Sequence, residues 1–234
     1  MMWKHGGLAL AVLSVKVLLL QSAADDSVLL TRIDDRVDFE LATFQGTYES
    51  LPAGFSVSKD GCTSMETGDA DFRGCSSGNV TTGGCYAWVL DRVRRAVGYQ
   101  PTADEFTPGY IMASVSNATG TLVHSLVIRY DVVYLNNADR SSRLDFEYSI
   151  DEVAFAQVAS VSLVTPAPRD TNSVWIVCPR KVRIDLAPER RALGRVRRRW
   201  MGNDEGGSGS RDEYGLMNIS VKACWSDGTV LWLK

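Results

Sequence analysis

Alternation of apolar and polar side chains is the feature of this sequence that most restricts its fold. In residues 143–150, RLDFEYSI, every second side chain is apolar, and Asp145 and Glu147 occupy positions between them. Such alternation is typical of a β-strand with one buried and one wet face. Similar strands are predicted at 27–33, 37–44, 109–116, 121–135, 153–164, 173–178, 180–186, 215–224 and 229–233.

Short polar segments separate several of these strands and favour antiparallel hairpins. Examples are NATG at 117–120 and NNADRSS at 136–142. The segment 86–97 instead places apolar residues at three- and four-residue spacing, which predicts one amphipathic helix. The expected fold class is therefore mostly β, an antiparallel β-sandwich with one helix, stabilised by disulfides.

The first 24 residues carry the pattern of a secretory signal peptide. A short basic start precedes an apolar run at 8–20, and small residues come directly before Asp25. The run is shorter than the roughly 20 apolar residues that a membrane helix needs, and no later segment approaches that length. We therefore expect a secreted protein without a stable membrane span, in which residues 25–234 form a single β-sandwich domain.

An exported chain is expected to form disulfides. The sequence spacing favours a bridge between Cys178 and Cys224 and a second bridge between two of the remaining three cysteines. Those three are Cys62, Cys75 and Cys85, so one thiol would stay unpaired or form an intermolecular link.

Export also makes N-linked glycosylation possible. Acceptor triplets of the form Asn-x-Ser/Thr begin at Asn79, Asn117 and Asn218. We predict that at least one of them carries a glycan in a host that glycosylates.

Residues 179–200 concentrate positive charge in a chain whose formal net charge is −3. They include nine arginines and lysines against two acidic residues, a surplus that favours a polyanion or an acidic partner. A flexible loop is expected at about 199–213, which is rich in glycine, serine and charge. The predicted binding patch consists of Arg190, Arg191, Arg195, Arg197, Arg198, Arg199 and Trp200.

Three interpretations of this patch stay open at the level of sequence. It can be a solvated loop, or it can bind a sulfated glycosaminoglycan or an acidic protein. It can also be a processing site, because residues 195–198, RVRR, fit the recognition pattern of furin-type convertases. The same four letters recur at 92–95 within the predicted helix. Nucleic acid is a poor partner for an exported protein.

Catalytic chemistry finds little support in the sequence. A Ser-His-Asp hydrolase would depend on His124, the one histidine after the predicted signal, and this residue lies in a predicted strand. The cysteine spacing is not that of a zinc site, and no phosphate-binding glycine loop precedes a helix. We predict a protein without catalytic residues, cofactor or metal, with an extracellular hydrolase as a less favoured alternative.

The segment 215–224, GLMNISVKAC, resembles a strand of the secreted chemokine- and cytokine-binding β-sandwich proteins of poxviruses. The shared pattern is Gly-Leu, alternating apolar residues and a closing Cys. The resemblance covers ten residues. It implies a secreted, disulfide-bonded, glycosylated decoy whose sheet face captures host signalling proteins.

These features predict a secreted glycoprotein that binds an extracellular protein, such as a cytokine, a chemokine or a receptor. An immune-modulating decoy of viral type is the specific form of this hypothesis, and glycosaminoglycan is a further candidate ligand. The alternative is a structural or envelope-type surface glycoprotein that docks on a membrane partner.

Overall fold

The computed structural model describes residues 27–31, 36–59, 70–118, 120–151, 153–186 and 195–224. Helical structure within these ranges is confined to two 3-10 turns, Tyr48–Ser50 and Ala159–Val161. The strands are β1 (Val28–Leu30), β2 (Arg36–Asp38), β3 (Phe55–Ser58), β4 (Phe72–Ser76), β5 (Gly84–Val89), β6 (Arg95–Gln100), β7 (Gly109–Asn117), β8 (Ser125–Leu135), β9 (Arg140–Ser149), β10 (Ala156–Gln157), β11 (Leu163–Val164), β12 (Trp175–Asp185), β13 (Arg195–Gly207) and β14 (Glu213–Cys224).

These strands form two sheets. Sheet A has the order β1-β7-β13-β9-β10, with β3 also beside β7 and β11 also beside β9. Sheet B has the order β12-β8-β14-β6-β5-β4, with β2 also beside β14. The pairs β1–β7 and β4–β5 are parallel, whereas the long strands pair antiparallel. The protein is therefore mostly β and sandwich-like, as the alternation predicts.

Side chains from both sheets meet between them and form the core. On β9, Leu144 and Phe146 are buried, while the polar residues between them stay partly exposed. The Phe146 ring lies 5.6 Å, centre to centre, from both Tyr130 of sheet B and Trp200 of sheet A. Burying a large side chain of this kind stabilises the fold by about 1.5–3 kcal/mol, so this aromatic cluster ties the two sheets together.

The helix predicted for 86–97 is wrong, because this segment forms the hairpin of β5 and β6. Asp91 makes the turn, and its Oδ1 accepts the backbone N–H groups of Val93 (3.0 Å) and Arg94 (2.8 Å). These two hydrogen bonds, together with one from the Arg94 side chain, lower the pKa of Asp91 to about 2. Val93, which the helical spacing places on the apolar face, is 77% exposed at the turn. Other apolar positions of that spacing belong to the two short strands, namely Tyr86, Val89 and Val97.

The loop predicted at about 199–213 is wrong as far as Gly207, because this stretch belongs to β13. That strand pairs with β7 on one side and with β9 on the other. At Gly202 the missing side chain leaves room for the hydroxyl end of Tyr99 from β6, which a methyl group would overlap. The Tyr99 ring is held in place by stacking on Phe106, with ring centres 4.2 Å apart. Glycine here marks close packing of the two sheets.

The predicted bridge between Cys178 and Cys224 is wrong, because these residues lie far apart in sheet B. They belong to β12 and β14, which flank β8, and face Val132 and Ser125 respectively. Those partners are separated along β8 by roughly 23 Å at the usual rise per residue. A disulfide needs Cα atoms within about 7 Å of each other. Both thiols are free.

Cys75 and Cys85 are also free thiols, so they do not form the second predicted bridge with each other. Cys75 is exposed, whereas burial of Cys85 raises the pKa of its thiol. Cys62 lies outside the described residues, as do the predicted signal segment 1–24 and the predicted strand 229–233. Over the described ranges, packing and hydrogen bonds hold the two sheets together without a disulfide.

In the part of the chain that the structure describes, no helix is long and apolar enough to cross a membrane.

Replacing Gly202 by alanine tests whether this stretch is a central strand. We expect Gly202→Ala to lower the free energy of unfolding by about 1–3 kcal/mol, because the added methyl group overpacks the site of the Tyr99 hydroxyl. Adding Tyr99→Phe should restore part of the loss. Chemical denaturation of the single and double variants measures both effects. A Gly202→Ala variant as stable as the parent would indicate a loop instead.

A candidate anion-binding face on sheet B

The predicted basic patch does not form one exposed surface. Arg190 and Arg191 lie outside the described residues, and Arg195 is half-buried at the start of β13. Arg197 and Trp200 are buried. Because β13 is a central strand, successive side chains point alternately to the core and to the outer face of sheet A. The prediction of an exposed arginine-rich loop is therefore wrong for this part of the chain.

Arg198 departs furthest from the prediction, because its side chain is fully buried. Its guanidinium carbon lies 5.6 Å from the centre of the Phe39 ring. Its three side-chain nitrogens have no hydrogen-bond partner within the described residues. Burial lowers the pKa of Arg198 to about 9. An unpaired charge in the core destabilises the folded state, so Arg198 acts on stability and offers no surface for a ligand.

Arg199 points to the outer face of sheet A and is engaged there by two neighbours. Its Nε donates a hydrogen bond to Glu147 Oε2 at 2.6 Å. Its guanidinium carbon also lies 3.8 Å from the centre of the Phe155 ring, a cation–π contact. The charge of Arg199 is therefore already engaged by neighbouring residues of the protein.

An exposed group of cations lies on the outer face of sheet B, which we call the cationic face. Four strands that are neighbours in the order β12-β8-β14-β2 contribute to it. At the usual strand spacing and rise it measures about 14 Å across the strands and about 7 Å along them. Its five exposed side chains are Arg36, Arg129, Lys181, Arg183 and Lys222.

The strand register places like charges directly opposite each other on this face. Lys181 is opposite Arg129, and Lys222 is opposite Arg36. Like charges in such positions destabilise a sheet, whereas opposite charges stabilise it. Within the described part of the chain, Arg129 and Lys181 form no ion pair. The repulsion between Lys181 and Arg129 is therefore not relieved by an ion pair of either residue.

Three carboxylates on the same side of sheet B are already engaged. Asp38 pairs with Arg36, and Asp185 pairs with Arg183, in each case at 2.7 Å. Asp131 accepts a hydrogen bond from Asn218 at 2.7 Å. Five cations against three carboxylates leave the face positive in a chain that is negative overall.

A cleft of about 360 Å³ opens beside the cationic face. It lies where β14 changes partner, since residues 214–216 pair with β6 and Ser220 to Lys222 pair with β2. Phe39 contributes to the wall of this cleft. The charged residues that line it are Arg36, Asp38, Glu40, Arg94 and Arg95. Because Arg36 and Asp38 belong to both surfaces, the cleft continues the cationic face.

The predicted glycosylation sites lie at different places on the surface. Asn79 and Asn218 are exposed, whereas Asn117 is half-buried and its Nδ2 donates to the Thr121 carbonyl at 2.9 Å. Of the three, Asn218 is the one that borders the cationic face, through its bond to Asp131. Glycan occupancy of all three stays a prediction.

His124, on which a hydrolase would depend, lies directly before β8. Residues 74–78, GCSSG, have the Gly-x-Ser-x-Gly spacing of a hydrolase nucleophile turn. Ser76, however, ends β4, which is four strand positions from β8 in sheet B, or about 19 Å. Ser76 and His124 therefore cannot form a catalytic pair. Among the described residues, no group of three His, Cys, Asp or Glu side chains is placed to hold a metal ion.

The cationic face differs from the predicted patch, although two of its members lie in the same basic segment. Lys181 and Arg183 alternate with buried Val182 and Ile184. This alternation of charged and apolar residues is a sequence signal that could have identified both cations as residues on the solvent-exposed face of a strand. No sequence signal specifies that Arg129 lies beside them, because this depends on strand pairing.

Comparisons with known proteins assign no family. No protein-family description matches the sequence, and no curated protein matches it. Among solved structures, the CBM22-1 xylan-binding domain of Xyn10C from Paenibacillus barcinonensis aligns with a TM-score of 0.44 and 8% identity, over 84% of this chain and 99% of that domain.

Two further solved structures align at a comparable level. The K3 cleaved adhesin domain of Lys-gingipain from Porphyromonas gingivalis has a TM-score of 0.41 and 12% identity, over 80% of this chain and 98% of that one. The Eiger TNF of S. frugiperda has a TM-score of 0.33 and 11% identity, over 87% and 99%. At TM-scores this low, the similarities carry no argument about function.

Replacing Arg198 by methionine should stabilise the protein. Exchange of a buried charge for an apolar side chain of similar volume is expected to raise the free energy of unfolding by about 1–4 kcal/mol. Because burial lowers the pKa of folded Arg198 to about 9, well below the ordinary value of an arginine in the unfolded chain, folded Arg198 loses its proton first as the pH rises. The destabilisation is complete below pH 9 and is relieved as the pH rises above it.

Thermal unfolding of the parent and of Arg198→Met between pH 8 and pH 10.5 checks this prediction, and the difference in Tm should shrink with pH. Arg199→Met is the control on the same strand, and we expect it to lose up to about 1 kcal/mol with its ion pair. A lower Tm for Arg198→Met would show that the folded protein supplies a partner for Arg198.

Reversing the charge of Lys181 should also stabilise the sheet. Lys181→Glu replaces a repulsive cross-strand pair with an ion pair to Arg129, and we expect a gain of about 0.5–1 kcal/mol at low salt. Lys181→Gln, which removes only the repulsion, should give a smaller gain. Urea denaturation at low and high salt measures both, and the gain should fade with salt. An unchanged or lower stability of Lys181→Glu would contradict the assigned register.

Proposed function

We propose that this protein is an extracellular binding protein whose cationic face binds a sulfated polysaccharide of the glycosaminoglycan class. The observation that carries the proposal is the presence of two like-charged cross-strand pairs, Lys181–Arg129 and Lys222–Arg36, on one exposed face. An anionic chain laid over both pairs would replace their mutual repulsion by attraction to the ligand. Binding would thus use charges that reduce the stability of the free protein.

The shape of this surface supports an extended ligand. Small-molecule sites are concave and mostly apolar, whereas the cationic face is one side of a sheet and spans about 14 Å across four strands. The adjoining cleft adds Arg94 and Arg95 at one end, where Arg94 also pairs with Asp91 at 2.6 Å and Arg95 donates to the Phe44 carbonyl at 2.7 Å. A polymer can contact the face and the cleft together, which a single small anion cannot.

The predicted compartment supports a polysaccharide over other polyanions. A chain with a secretory signal meets sulfated glycans outside the cell, while nucleic acid is largely confined to its interior. Electrostatic binding of this kind is sensitive to salt. At physiological ionic strength, dissolved ions largely screen the attraction between exposed charges that are more than about 8–10 Å apart.

The cytokine- or chemokine-decoy hypothesis stays a prediction. A protein-binding surface typically gathers large exposed apolar side chains into one patch. Here the most exposed ones, including Val93, Val153 and Val174, lie on separate connections between strands. No described feature of the molecule selects a protein ligand over a polysaccharide.

Heparin binding of matched variants tests the proposal. Lys181→Ser with Arg129→Ser removes two cations from the face, while Arg73→Ser with Arg169→Ser removes the same charge from exposed positions remote from the face and the cleft. A cation near a densely anionic surface contributes about 1 kcal/mol. We therefore expect about thirtyfold weaker heparin binding for the first pair and a much smaller change for the second. Calorimetric titration in 150 mM salt measures both.

Three results would contradict the proposal. The parent could fail to bind heparin in physiological salt, or both double variants could lose affinity equally. Equal binding of dextran and dextran sulfate would also exclude recognition by charge. Circular dichroism of every variant confirms that the sheets are intact.

A further inference from the structure

Asn218, the first residue of an acceptor triplet for N-glycosylation, stands at the border of the cationic face. Its side chain is exposed, and its Nδ2 donates a hydrogen bond to Asp131 Oδ2 at 2.7 Å. Asp131 follows Arg129 by two residues on β8 and points to the same side of sheet B, about 7 Å away. The nitrogen that an N-linked glycan uses is therefore next to the cations.

The same residue also borders the cleft. Asn218 lines it together with Arg36 and Arg94. A group attached to Asn218 would therefore stand between the cleft and the rest of the cationic face, where a bound polymer has to pass.

The backbone at Asn218 presents this side chain to solvent. Residue 218 has a φ of 52° and lies within the irregular register between Met217 and Ser220. Such a bulge takes a residue out of regular strand pairing and redirects its side chain. Asparagine adopts this left-handed conformation more readily than most residues. The strand β14 can therefore continue past residue 218 while the Asn218 side chain stays exposed.

We propose that an N-linked glycan on Asn218 covers the cationic face and thereby controls its affinity for anionic polysaccharides. This inference rests on the proposed function of the face. Attachment forms a bond between Nδ2 and the anomeric carbon of an oligosaccharide, which leaves its lipid-diphosphate carrier while Nδ2 gives up one proton. The amide keeps its second N–H, which can still donate to Asp131 and hold the first sugar beside the face.

A branched, hydrated glycan at this point excludes a second polymer from the same surface. The protein would thus exist in two forms, a glycan-bearing form with low affinity for the polyanion and a glycan-free form with high affinity. The difference arises from access to the cations, because their number and charge are the same in both forms.

Asn79 offers a matched control, because it belongs to an exposed triplet remote from the face. Its backbone N–H donates to Glu213 Oε2 at 3.0 Å, and Glu213 is opposite Leu135. Along β8, Leu135 is about 20 Å from Arg129. A glycan on Asn79 therefore leaves the cationic face open.

The experiment compares the full chain from a glycosylating secretory host with the same chain from a host that does not glycosylate. Peptide mass spectrometry reports the occupancy of Asn218, and titration with heparin reports affinity. The variants are Asn218→Gly, which keeps the left-handed backbone accessible, Ser220→Ala, which destroys the triplet but keeps Asn218, and Asn79→Gln. In the secretory host, Asn218→Gly and Ser220→Ala should bind heparin about tenfold more tightly than the parent, as expected when at least one cation contact is uncovered.

The remaining outcomes separate this inference from the proposed function. Asn79→Gln should bind like the parent, and all chains from the non-glycosylating host should bind tightly and alike. An unoccupied Asn218, or equal affinity of the parent and Ser220→Ala from the secretory host, overturns the inference. Absence of heparin binding by the glycan-free parent overturns the proposed function of the face instead.

Discussion

Backbone pairing on both edges of β14 determines how sheet B is built. One edge pairs with β8 along most of the strand, and the other is divided between β6 and β2. Because an unpaired buried N–H or C=O group costs about as much as a lost hydrogen bond, β14 changes partner within a short irregular stretch. The cleft opens at this change, and β2 brings Arg36 to the cationic face because of it.

The alternation of apolar and polar residues along the sequence predicts individual strands and the face that each one buries. The alternation in 143–150 identifies β9 and its buried face correctly, since burial follows the two-residue period of a strand. The helix predicted for residues 86–97 is wrong because two short strands joined by a turn at Asp91 can produce a spacing of apolar residues close to that of a helix. The loop predicted for residues 199–207 is wrong because polar composition does not distinguish a loop from a central strand. Gly202, which composition counts as a loop residue, makes room for Tyr99 of the other sheet.

For the candidate site, the sequence predicts the charge of the ligand but not the residues that bind it. Excess positive charge in 179–200 indicates an anionic ligand, but it does not show which side chains face solvent. The strand period sends Arg198 into the core and Lys181 outward. The neighbours of Lys181 come from segments far away in the sequence, and their positions depend on register, which is a property of the whole sheet. Arg198 is buried without a hydrogen-bond partner for its side-chain nitrogens, and Lys181 lies opposite Arg129, so the fold accommodates charge in both places.

The place of β14 in the sheet also has a consequence for the order of events during synthesis. It is the last described strand in the chain, yet it lies between β8 and the strands β6 and β2. Sheet B cannot form its central strand pairs before β14 has been synthesised. Contacts between segments so distant in the sequence also make folding slow. Until then Asn218 belongs to an open chain, to which the glycan that we propose could be attached. Topology thus provides a period in which the acceptor is accessible before the sheet is complete.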